Sequence, residues 1–123
     1  MDITAIKRKS ILPTTRENID QKLVHKIAIR LNASLHNIIS NYLEAMHSIN
    51  DYKYSSMSDV LRKVLFSIQD KSLKYDNMKP PAANDYIELT IRCASAQKKF
   101  WHTLPSRKKM HILEKAIVSF LQN

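Results

Sequence analysis

The sequence predicts a mainly α-helical protein with one two-stranded antiparallel ribbon, built from two strand-helix-helix repeats in one chain. Polar and apolar residues alternate in two short runs, at residues 25–31 and 86–92, and two helical patterns follow each run. The chain of 123 residues contains no glycine, which disfavours type I′ hairpins and glycine-rich nucleotide-binding loops. We therefore expect helices packed around a single ribbon.

The positive charge of the chain is concentrated near the two alternating runs. The formal charge is +9, from 20 Lys and Arg residues against 11 Asp and Glu residues. Residues 1–31 carry +4, residues 32–91 carry −1 and residues 92–123 carry +6. This distribution favours a polyanionic partner, with nucleic acid ahead of an anionic membrane. A basic protein with a solvated charged face is the alternative.

Several functional classes find no support in the sequence. The single cysteine, Cys93, excludes an internal disulfide and a multi-cysteine zinc site, and it is compatible with a reducing cytoplasm. No apolar run approaches the ~20 residues that span a bilayer, and the N-terminus lacks the apolar core of a secretory signal. The histidines show no metal-ligand spacing, and no paired carboxylates suggest acid–base chemistry. We expect a cytoplasmic protein with no catalytic site, metal, cofactor or membrane segment.

Residues 1–24 are predicted to form a basic N-terminal arm. Lys7, Arg8 and Lys9 make up its basic cluster. The arm either lies along DNA phosphates or is a frayed terminal segment, and the sequence favours neither reading.

The first repeat is predicted at residues 25–68. Its strand, residues 25–31, turns Ile27, Ile29 and Leu31 to one face and the intervening residues to the other. Asn32 or Ser34 can cap the helix that follows, and the second helix begins at the serine-rich run 55–58. The apolar stripe predicted for the first helix comprises Leu35, Ile38, Ile39, Tyr42, Leu43, Met46 and Ile49.

Residues 69–85 are predicted to be a linker, because they are polar and end near Pro80 and Pro81, which stop helices. The second repeat then occupies residues 86–123. Its strand turns three aliphatic residues inward, and Ser95 can cap a shorter helix. Pro105-Ser106 is predicted to start the last helix. The inward residues of the strand are Ile87, Leu89 and Ile91, and the shorter helix bears Phe100, Trp101 and Leu104.

This order of elements resembles the ribbon-helix-helix DNA-binding family. The resemblance is carried by the strand at residues 26–31 and by residues 54–65, which are similar to the serine-rich start of that family's second helix. The second copy is similar at residues 87–92 and 106–120, although Arg107-Lys108-Lys109 replaces the serine-rich run. The resemblance implies that the two copies pair their strands as an intramolecular pseudo-dimer. The protein is then expected to be a monomer that can oligomerise on DNA.

The resemblance further implies sequence-specific binding of double-stranded DNA, with the ribbon inserted in the major groove. Arginine can bond guanine, glutamate can accept from cytosine, and alanine or threonine can touch a thymine methyl. The starts of the second helices would hold phosphates. The implied base-reading residues are Lys26, Ala28, Arg30, Glu88, Thr90 and Arg92, and the implied phosphate-binding residues are Ser55, Ser56, Ser58, Ser106, Arg107 and Lys108.

Tandem repeats in one chain are similar to the relaxosome accessory factors of conjugative and T-DNA-type transfer, which implies a relaxase or other transfer proteins as partners. The first alternative is a plasmid-control, partition or antitoxin-type transcriptional repressor with the same fold. An alternative of another class is a helical protein-interaction module. The alternative role for Arg30 and Arg92 is edge-strand charge that prevents aggregation.

Overall fold

The structure of the protein is a computed structural model that describes residues 23–122. It confirms a mainly helical fold with one two-stranded antiparallel sheet. The predicted arm residues Lys7, Arg8 and Lys9 lie outside the described residues. The elements are β1 (His25–Asn32), α1 (Ala33–Ser48), α2 (Met57–Gln69), β2 (Tyr86–Cys93), α3 (Ser95–Thr103) and α4 (Lys109–Gln122). We call β1, α1 and α2 the first half, and β2, α3 and α4 the second half.

The two strands pair antiparallel along their whole length. Each strand alone would leave its backbone N–H and C=O groups without partners on both sides, so the pairing satisfies one edge of each. Ala28 lies opposite Thr90 at the centre of the ribbon's outer face, and Ile29 lies opposite Leu89 on its inner face. The predicted inner residues are buried or half-buried, and the predicted outer residues are all exposed.

The core lies between the inner face of the ribbon and the helices. The largest contribution comes from α2, on which Val60, Leu61, Val64 and Leu65 are fully buried. Burial of each such side chain contributes roughly 1.5–3 kcal/mol. Trp101 of α3 is 3% exposed and belongs to the same core. Among the described helices, none is long and apolar enough to cross a membrane.

The apolar stripe predicted for α1 is too wide. The buried row is Leu35, Ile39 and Leu43, which follow one another at every fourth residue. Ile38 is 43% exposed because it lies on the neighbouring row of the helix surface. Ile49 is 70% exposed because it follows the last residue of the helix and no longer faces the core.

The predicted starts of both helices in the second half are wrong. Ser95 is the first residue of α3, and the cap position belongs to Ala94, which has no side-chain oxygen. The Gln97 side chain instead accepts from the N–H of Ala94 at 3.1 Å. The last helix begins at Lys109 because residues 105–108 form a turn, in which the Lys108 N–H donates to the Pro105 carbonyl at 2.9 Å.

Residues 70–85 contain no helix or strand, yet they are bonded to both halves of the molecule. Asn32 Nδ2 donates to the Pro81 carbonyl at 2.9 Å, and the Ser119 hydroxyl donates to the Lys74 carbonyl at 2.6 Å. Tyr75 packs against the core. This segment is therefore part of the folded structure and not a loose tether.

Candidate nucleic-acid interface

The outer face of the ribbon brings together the six residues predicted to read bases. All six are exposed, and the register arranges them as three cross-strand pairs. Successive pairs on one face of a strand are about 7 Å apart, since each residue advances the chain by about 3.3 Å. The pairs are Lys26 with Arg92, Ala28 with Thr90, and Arg30 with Glu88. Two small side chains thus lie at the centre, with charged pairs on either side.

The charges on this face are unbalanced. Lys26 and Arg92 are like charges directly opposite each other, an arrangement that destabilises an isolated ribbon. An anion bound between them would remove that repulsion. The Arg30 guanidinium lies 5.0 Å from the centroid of the Tyr86 ring, and this cation–π contact holds its stem along the end of the ribbon.

The start of α2 carries the first set of predicted phosphate residues, and part of its donor capacity is already used. Ser56 caps the helix by accepting from the Asp59 N–H at 3.3 Å. Ser55 donates both its N–H, at 2.9 Å, and its hydroxyl to the Asp59 carboxylate. These bonds, chiefly the one from the Ser55 hydroxyl, lower the pKa of Asp59. The N–H groups of Met57 and Ser58 lie in the first turn, where no intrahelical acceptor exists.

Arg62 was not predicted as a site residue, but it joins α2 to the ribbon. Its guanidinium forms an ion pair with Asp59 and donates to the Arg92 carbonyl at 3.0 Å. The Gln97 side chain donates to the Arg62 carbonyl at 3.2 Å. The i, i+3 spacing of Asp59 and Arg62 was visible in the sequence, but the contact with Arg92 arises only from tertiary packing.

The second set of predicted phosphate residues does not open a helix. Ser106, Arg107 and Lys108 are exposed in the turn that precedes α4. The Lys108 and Lys109 N–H groups both donate to the Pro105 carbonyl at 2.9 Å, so they already have an acceptor, and the predicted phosphate contacts at this end stay a prediction. The cationic side chains of Arg107 and Lys108 remain accessible beside Lys109, the first residue of α4.

A hollow of about 790 Å³ lies beside the outer face of the ribbon, on the side of α3 and α4. Lys98 and His102 of α3 face it one helical turn apart, and Lys109 faces it from α4. The Lys109 ammonium lies 4.8 Å from the centroid of the Trp101 ring. Sequence reasoning missed these cations because their elements meet only in the folded chain. We call this site the basic hollow; it is lined by Lys26, Ile27, Ala28, Ile29, Arg30, Glu88, Leu89, Thr90, Lys98, Trp101, His102, Lys109 and Met110.

The other side chains that could react or bind a metal ion are buried or isolated. Cys93 is fully buried, and burial raises the pKa of its thiol, which disfavours the nucleophilic thiolate. In the part of the chain that the structure describes, no group of three or more His, Cys, Asp or Glu side chains could hold a metal ion.

Comparisons of the chain with protein-family models, with characterised proteins and with solved structures find no match.

Proposed function

We propose that this chain is a sequence-specific double-stranded DNA-binding protein of the ribbon-helix-helix type, whose ribbon enters the major groove. The observation that carries the proposal is the outer face of the ribbon, where Lys26, Arg30, Thr90 and Arg92 are exposed while the residues of the opposite face are buried or half-buried. Paired strands lie about 4.8 Å apart, so a two-stranded ribbon fits a groove about 12 Å wide. Side chains on its outer face then reach the base edges.

The packing of the elements supports a pseudo-dimer within one chain. β1 packs against α4 and β2 against α2, so each strand contacts the second helix of the other half. Similarly, α1 packs against α4, α3 packs against α2, and α2 and α4 pack against each other. Asn32 and Ala94, which hold the helix caps, are 62 residues apart, as are Ala28 and Thr90 at the ribbon's centre. One two-fold axis through that central pair accounts for all of these relations.

The base-reading role is tested with Arg30→Ala and Arg92→Ala. A duplex selected from a random library supplies the specific site, and unselected duplex supplies the non-specific reference. We expect each variant to lose about 1–3 kcal/mol of discrimination between the two, because it removes a bidentate arginine–guanine pair. The measurement is the ratio of the two dissociation constants at fixed salt, since affinity depends steeply on salt.

Lys63→Ala is the matched control for these arginine variants. It also removes one positive charge, but from a position that is not on the ribbon. Lys63 is exposed on α2 and acts electrostatically on Asp70 at the C-terminus of that helix. The control should leave the discrimination ratio unchanged. Equal losses on selected and unselected DNA in the arginine variants would refute base reading and indicate contact with phosphates alone. No loss on either DNA would favour the aggregation-preventing role for these side chains.

Within this function, the tandem arrangement supports a role as an accessory factor in conjugative or T-DNA-type DNA transfer. Chromatin immunoprecipitation in the native host would test it. We expect enrichment at a transfer origin near a relaxase gene. Enrichment confined to promoters would instead identify a transcriptional repressor of the plasmid-control, partition or antitoxin type.

A further inference from the structure

We propose that this protein grips the DNA backbone mainly from one side, with the basic hollow as a phosphodiester-binding site and no equivalent site in the first half. The inference rests on the proposed DNA-binding function and adds the flank that carries the phosphate contacts. It gives the protein a fixed direction on DNA beyond the one set by its base-reading residues.

Corresponding positions on the first helices of the two halves carry different charges. The caps Asn32 and Ala94 fix the correspondence, because α1 and α3 begin immediately after them. Counting from these caps, Lys98 corresponds to His36 and His102 corresponds to Ser40. The lysine of the second half therefore has no cationic lysine or arginine counterpart on α1.

The second helices differ in the same sense. The buried residues Leu61, Leu65 and Ser67 of α2 match Leu113, Ile117 and Ser119 of α4 in spacing and burial. This match makes Met57 the counterpart of Lys109. It makes Ser55 and Ser56 the counterparts of Arg107 and Lys108. Four positions that hold lysine or arginine in the second half are thus occupied in the first half by His36, Ser55, Ser56 and Met57, and Ser40 stands in the place of His102.

The first half also carries a negative charge on the flank that corresponds to the basic hollow. The Asp59 carboxylate accepts both bonds from Ser55 and pairs with Arg62. Arg62 further donates to the Arg92 carbonyl, so its guanidinium is committed to the protein. A DNA phosphate approaching α2 meets a carboxylate whose lowered pKa keeps it ionised at neutral pH. This ion pair adds no net positive charge, and its carboxylate repels a phosphate at this flank, whereas the second half places Lys98 and Lys109 at the basic hollow.

The composition of the basic hollow fits a phosphodiester. Lys26, Lys98, Lys109 and Arg30 face it with His102, and among the described residues Glu88 is its single acidic lining residue. The hollow adjoins the ribbon, so a ribbon placed in the major groove brings the flanking phosphates to it. The contact of Lys109 with Trp101 keeps the ammonium near the hollow, and no carboxylate among residues 23–122 pairs with it.

The test measures how the affinity for the selected duplex depends on salt. The double variant Lys98→Gln with Lys109→Gln removes the charges and keeps most of each stem over Trp101. We expect the slope of log affinity against log salt to fall by about 2, or about 1 for each phosphate that the variant no longer neutralises. The control double variant, Lys63→Gln with Lys74→Gln, changes the net charge equally outside the hollow and should keep the slope. Equal slopes in the two double variants would overturn the proposal.

Two position-sensitive measurements complete the test. Ethylation of DNA phosphates should interfere with binding more strongly on one side of the centre of the selected site than on the other, and symmetric interference would contradict one-sided gripping. Trp101 is the one tryptophan of the chain, so its fluorescence reports on the hollow. We expect its emission to change on saturation with DNA, because the phosphate competes with the ring for the Lys109 ammonium. Unchanged emission would contradict the part assigned to Lys109.

The outcomes separate this inference from the proposed function. If wild-type protein prefers no duplex sequence, the DNA-reading function fails. If Arg30→Ala and Arg92→Ala lose discrimination while the hollow variant keeps its salt slope, the function stands and one-sided gripping fails.

Discussion

Glu114 is a carboxyl group inside a basic protein, on the α4 face that packs into the core. Only 9% of its surface is exposed, and burial raises its pKa despite the nearby His111 and a bond from the Asn32 side chain. A raised pKa means that the folded state holds this proton at pH values where the unfolded chain has released it. The contribution of Glu114 to stability therefore falls as the pH rises through that range.

We expect Glu114→Gln to raise the free energy of unfolding at pH 7 and to have little effect near pH 4. The amide keeps the size and hydrogen-bonding capacity of the side chain but has no charge to bury. Thermal unfolding followed across this pH range is the measurement. Glu44→Gln, on the exposed side of α1, is the control, because it removes the same charge from a position outside the core. An equal change at both pH values would show that burial of the charge is not the cause.

The pKa of Asp59 is shifted in the opposite direction to that of Glu114. Its pKa is lowered, so its contribution to stability is complete above about pH 4 and is lost as the pH falls through the folded-state value. We expect Asp59→Asn to cost about 0.5–1 kcal/mol at pH 7, because a carboxylate in the first turn of α2 also favours the helix dipole. The same variant should tighten binding to unselected duplex by freeing Arg62. Unchanged or weaker binding would contradict the repulsion assigned to this flank.

At the scale of elements, the two halves begin their first helices with different caps. Asn32 accepts from the Ser34 N–H at 2.9 Å, whereas Ala94 can accept nothing through its side chain. Ala94→Ser would complete a capping box with Gln97, and we expect a gain of about 0.5–1 kcal/mol. Asn32→Ala should cost about 1–2 kcal/mol. Chemical denaturation measures both.

Ser95→Ala is the control for the capping variants. Because Ser95 is inside α3, its hydroxyl does not hold the cap position. The change should stay within about 0.5 kcal/mol. A large loss of stability in Ser95→Ala, or no gain in Ala94→Ser, would contradict the assignment of the cap to Ala94.

The sequence was most informative where a single periodicity decides the structure. Alternation at Ile27 and Ile29, and again at Ile87 and Leu89, was enough to predict both strands and the inward face of each. The same reasoning predicted too wide a face for α1, because apolar content alone does not reveal that Ile38 has no neighbour to cover it. The periodicity of apolar residues therefore predicted the helices and strands better than it predicted which of their residues are buried.

The starts of helices and the basic hollow depend on tertiary contacts. Pro105 is compatible with the first turn of a helix, yet its carbonyl closes a turn and the helix begins at Lys109. Lys98 and Lys109 belong to different helices, and both line one hollow, where the Lys109 ammonium also contacts the Trp101 ring of α3. No local spacing in the sequence connects these residues.

At the scale of the whole molecule, the pairing of both strands within one chain predicts a monomer. We expect sedimentation to give a mass of 14.3 kDa in the absence of DNA. We also expect the unfolding temperature to be independent of protein concentration, because no subunit dissociates on unfolding. An obligate dimer, or an unfolding temperature that rises with concentration, would contradict the intramolecular pseudo-dimer that we propose.

Residues 70–85 connect the two halves of the molecule. This connection determines how the occupancy of a DNA site would depend on the concentration of the protein. Where two separate chains must associate before they bind, occupancy of a DNA site at low concentration follows the square of the chain concentration. Here the two strands of the ribbon cannot diffuse apart, so occupancy would follow the first power. A cell that makes few copies of this chain would therefore retain a proportionate fraction of occupied sites and would not show a threshold.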